Sequence, residues 1–77
     1  MNTHDEAYYT ILEAKYARII QAISKMHNIP ADDAMKLFYQ SDILKLMEKG
    51  IADLHCRSDL YLAEEIWHEA HPNYEQN

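Results

Sequence analysis

Seventy-seven residues with seven Lys and Arg against thirteen Asp and Glu, a net charge of -6, leave room for one small acidic domain with a thin core. A single cysteine excludes a disulfide within the chain and fits a reducing cytoplasm. The charged opening MNTHDEAYY and the lack of an uncharged apolar run argue against a signal peptide and a membrane span, so a soluble cytoplasmic protein is expected.

Valine is absent and glycine occurs once, while Ala, Leu, Glu, Lys and Met are plentiful, which favours helices over strands. The first helix is expected to begin at Thr3, where THDE has the form of a capping box closed by Glu6. Tyr8, Ile11, Leu12, Tyr16, Ile19, Ile23 and Met26 then recur at three- and four-residue steps as one apolar stripe. Asn28 and Pro30 end that helix, because proline disfavours helical geometry in the residue before it.

PADDAMKLFYQ predicts a short second helix, with Pro30 in its first turn and Asp32 and Asp33 complementing its positive end. Ala34, Leu37 and Phe38 should face the core. SDILKLMEKG predicts a third, capped by Ser41 or Asp42 and stopped by Gly50 in a left-handed conformation. Ile43, Leu44 and Met47 form its apolar face, with Ile51 and Leu54 continuing inward. Ser58 caps a fourth helix whose inner face is Leu60, Leu62, Ala63, Ile66 and Trp67, and Pro72 finishes it. The expected fold is all-α: a compact four-helix domain over residues 1–77, one long N-terminal helix packed by three shorter ones. Its core covers about residues 3–70, with a loose tail over 72–77.

Few residues suggest chemistry. His55 and Cys56 adjoin, but neighbouring side chains diverge, and no Gly-rich turn follows to supply oxyanion-binding amides, so a partly buried, inert thiol is expected. His68 and His71 stand three apart and can share a face, with Glu64 as a third donor. HEAH is nevertheless one residue short of the zinc motif H-E-x-x-H, and histidines near a helix C-terminus are favoured by the dipole alone. No catalytic residue, cofactor or metal is assigned.

The second and third helices also read as a helix-turn-helix with Lys45 and Lys49 outward. Asp42 occupies the start of the recognition helix, where phosphate and base contacts are usually made, and the acid excess works against a phosphate backbone. DNA binding is therefore the alternative reading. A protein partner is preferred, and a basic one is electrostatically easier. Six tyrosines exceed what a thin core can hold, and Tyr9, Tyr39 and Tyr61 fall off or beside the apolar stripes. Tyr and Trp are enriched in protein interfaces, so Tyr9, Tyr16 and Trp67 are taken as the contact surface, with a homodimer as the minimal case.

The stretch from Leu54-His55 through Ser58 and Tyr61 to Ile66, after the acidic pair Glu64-Glu65, resembles the signature of the bacterial domain-of-unknown-function family numbered 3791. The Leu37-Phe38 pair before a short helix, and a long opening helix with an aromatic near Tyr16, resemble the same family, over roughly residues 6–69. Where many members have a small polar pair after Leu-His, this chain has Cys56-Arg57. The resemblance implies a small helical protein without an assigned activity. Because some members are encoded beside toxin-like genes, it also implies an antitoxin-like or accessory role. It makes Leu54, His55 and Ser58 a structural hinge: Leu54 anchors the connection to the fourth helix, and His55 hydrogen-bonds backbone at the join.

Overall fold

The computed structural model describes residues 6–72, apart from the side chains of Glu6 and Tyr8. The Thr3 capping box, the place of Tyr8 in the stripe and the tail beyond Pro72 lie outside what is described. Four α-helices run α1 (Glu6–His27), α2 (Ala31–Tyr39), α3 (Asp42–Glu48) and α4 (Asp59–Ala70), with a short 3-10 segment over Ile51–Cys56. No strand is present among the described residues. The long helix α1 packs against both α2 and α4.

Local chemistry sets the boundaries. Asn28 turns left-handed (φ 54°), and the Ile29 amide donates back to the Ser24 carbonyl at 3.1 Å, the closure of a Schellman end. Ser24 Oγ donates to the Ile29 carbonyl at 2.7 Å and tightens the same turn. Pro30 sits at the N-cap position of α2, one residue before the expected first turn, its carbonyl accepting from Ala34 at 3.1 Å. Ser41 and Ser58 cap α3 and α4, their hydroxyls accepting from the amides of Leu44 (3.2 Å) and Tyr61 (3.0 Å).

Ile19 and Ile23 of α1, Phe38 of α2, Met47 of α3 and Leu62 and Ile66 of α4 are the largest fully buried side chains. Ala34, Ile43, Leu44 and Ala63 complete that cluster, with Leu37, Leu54 and Trp67 half-buried against it. Each fully buried Leu, Ile, Phe or Met contributes about 1.5–3 kcal/mol.

Four residues expected inside are exposed: Ile11, Met26, Ile51 and Leu60. A helix turns about 100° per residue, so Ile11 stands a quarter-turn from Leu12 and off the face that carries Ile19 and Ile23. Lys15 is buried on that face instead. Met26 and Leu60 both border a surface cleft where α1 passes α4. Ile51 is displaced by the backbone around it. Gly50 (φ 70°), Ala52 (φ 59°) and Asp53 (φ 50°) are all left-handed, so the chain reverses on leaving α3 and only Leu54 returns to the core. Cys56 is likewise exposed rather than partly buried.

Candidate interaction surface

Tyr16 and Trp67, expected in one contact surface, open onto different clefts on either side of α2. Tyr16 is half-buried in a groove between α1 and α2, its ring 5.0 Å from that of Phe38 at 54°. Trp67 borders a smaller cleft between α2 and α4 with Leu37 and Lys36. Its indole is clamped between His27 (3.7 Å, 1°) and His71 (4.0 Å, 21°), so Trp67 is a seam residue joining the ends of α1 and α4. Tyr9 lies exposed near the start of α1.

The α1/α2 groove has a volume of about 790 Å³. Tyr16 and Ile20 are half-buried in it, while Met35 (45% exposed) and Tyr39 (58%) stand on the α2 side. Ala17 and Ala31 keep its walls low, and Glu13 and Lys25 supply its charges. Met35 escaped the reading of α2 because Ala34 and Phe38 already account for a core face. The available signal was the parallel pair Met35/Tyr39, which makes the apolar face of a nine-residue helix broader than burial requires.

Long-range polar contacts hold this arrangement. Lys15 Nζ donates to Asp59 at 2.8 Å and to the Arg57 carbonyl at 2.7 Å, and Arg18 Nε reaches the other Asp59 oxygen at 2.9 Å. The hydrogen bond from Lys15, then the one from Arg18 and both positive charges, lower the Asp59 pKa against the opposing effect of desolvation. His27 Nε2 lies 2.7 Å from Glu64 Oε2, closing α1 on α4. In the last turn of α4, the Glu69 carboxylate accepts from the amides of Asp42 (2.8 Å) and Ile43 (3.1 Å), completing the cap of α3.

The expected hinge residues lie together. Ser58 caps α4, Leu54 packs on the core and His55 is half-buried beside it. Lys15 bonds the Arg57 carbonyl, so the join is fastened by α1 as well. His68 and His71 diverge rather than share a site: His68 approaches Glu64 at 3.7 Å, while His71 Nδ1 donates to the Trp67 carbonyl at 3.0 Å. Among the described residues no three His, Cys, Asp or Glu side chains are grouped to hold a metal ion. No described helix is long and apolar enough to cross a membrane.

Compared with protein-family models, curated proteins and solved structures, the chain matches none.

Proposed function

We propose that this protein is a non-enzymatic protein-binding module of the bacterial cytoplasm, an antitoxin-like or accessory regulator of a neighbouring gene product. The observation that carries the reading is the α1/α2 groove. Met35 and Tyr39 are left outside a core that is already closed by Phe38, Ile19 and Ile23. Such a patch of Tyr and Met is the composition of a protein contact. The antitoxin-like role rests on the family resemblance alone.

The helix-turn-helix alternative finds less support. A recognition helix turns its N-terminal amides to phosphate and its N-terminal side chains to bases, whereas here Glu69 takes the amides of Asp42 and Ile43, and Asp42 adds a second carboxylate.

A photo-crosslinking amino acid placed at Tyr39, in cells of the native host, tests the reading against the same probe at Tyr61 on α4. Protein adducts from position 39 and none from 61 are the expected result. Equal labelling, or no protein adduct from 39, contradicts it. A salt-sensitive, sequence-specific gel shift by the pure protein would move DNA binding to first place.

A further inference from the structure

We infer that the α1/α2 groove is the seat of a second copy of this chain, two α1 helices meeting antiparallel across a two-fold axis at the Ala17–Gln21 turn. The inference rests on the protein-binding reading and names its partner.

The charges in the groove carry the choice. Glu13 and Lys25 both line it, both are exposed, and neither forms an ion pair among the described residues. They stand about 18 Å apart along α1, with the Ala17–Gln21 turn midway between them. A two-fold axis through that turn sets Glu13 of each copy against Lys25 of the other. One surface thus satisfies itself twice, the property an isologous interface requires. Net charge points the same way. The chain carries -6 overall, yet the groove lining holds one carboxylate and one ammonium, so two copies that meet there place no excess of like charge at the contact itself. The net charge still attracts a basic partner, but within the groove only Glu13 could pair with it, and Lys25 would oppose it. The relief also fits: Ala17 at the crossing admits a helix at about 8–10 Å, and Met35 and Tyr39 flank it with apolar area.

Sedimentation equilibrium of the full chain, with Glu13→Lys, Lys25→Glu and the double exchange, tests this. Both positions are exposed, so circular dichroism should report an unchanged fold. Wild type is expected to dimerise. Each single variant places like charges together twice and should weaken the dimer roughly tenfold or more. The double exchange should restore it. Mixing the two single variants should give a heterodimer, because the two lysines of one chain then face the two glutamates of the other. A wild-type protein that stays monomeric, or a dimer indifferent to these exchanges, overturns the inference. Monomeric wild type combined with adducts to a different protein at Tyr39 would sink the second copy and leave the protein-binding reading standing; loss of both would sink the reading itself.

Discussion

Lys15 and Asp59 meet at 2.8 Å across forty-four residues of chain, and the same ammonium holds the Arg57 carbonyl. A lysine on the inner face of α1 thereby fastens the start of α4, and its burial is tolerated because both contacts replace water. Lys15→Met keeps much of the length and removes the charge, leaving the Arg57 carbonyl without this donor. A loss of about 1–3 kcal/mol in urea denaturation is expected. A loss below the fitting error would show the contact to be incidental.

Acid should weaken this seam. The Asp59 pKa is lower in the folded chain than its ordinary value, so its contribution is fully present above the unfolded value near about pH 4 and is lost as pH falls through the folded one. Asp59→Asn should therefore lower stability at neutral pH and flatten the acid limb below about pH 4. Parallel acid limbs for variant and wild type would contradict this assignment.

Glu69 lies on the surface, yet it caps a helix more than twenty residues away in sequence. Glu69→Ala should cost about 1 kcal/mol, the scale of a lost N-cap, which is roughly 4–8 °C in Tm for a domain of this size. Glu65→Ala, on the same helix, is the comparison. Equal shifts for both would show that charge or helix propensity, not capping, was measured.

Ala52 holds a left-handed φ of 59° without being glycine, a conformation that costs an alanine about 1–2 kcal/mol. Ala52→Gly relieves that strain, partly offset by the freedom glycine adds to the unfolded chain. A small rise in Tm is expected, where the same change inside a helix would lower it. A clear fall would mean that the turn is not strained as described.

Tyr9 and Trp67, both taken from sequence as contact residues, should separate in a thermal melt. Tyr9→Ala should leave stability within about 0.5 kcal/mol, since the ring lies exposed. Trp67→Ala empties the slot between His27 and His71 and should cost about 3 kcal/mol. Comparable melts for the two variants would return Trp67 to the surface role first expected of it.

The end of α1, the end of α3 and the starts of α3 and α4 were legible in the residues alone. Asn28, Ser41, Gly50 and Ser58 act within a few residues of themselves, through left-handed turns and hydroxyls that reach the next turn's amides, so their effect can be read locally. Periodicity also placed Ile19, Ile23, Phe38, Met47, Leu62 and Ile66 inside, because a helix facing a core repeats every three or four residues. The width of each inner face was settled by packing instead. Ile11, Met26 and Leu60 sit on margins that are covered or bare according to where the neighbouring helix crosses, and Ile51 depends on a backbone reversal through Ala52 and Asp53. The Lys15–Asp59 seam, the stacking of His27 on Trp67 and the Glu69 cap were illegible for one physical reason. Each joins groups far apart in the chain, and no periodicity or capping rule carries information across a loop to say which side chains will be brought within reach.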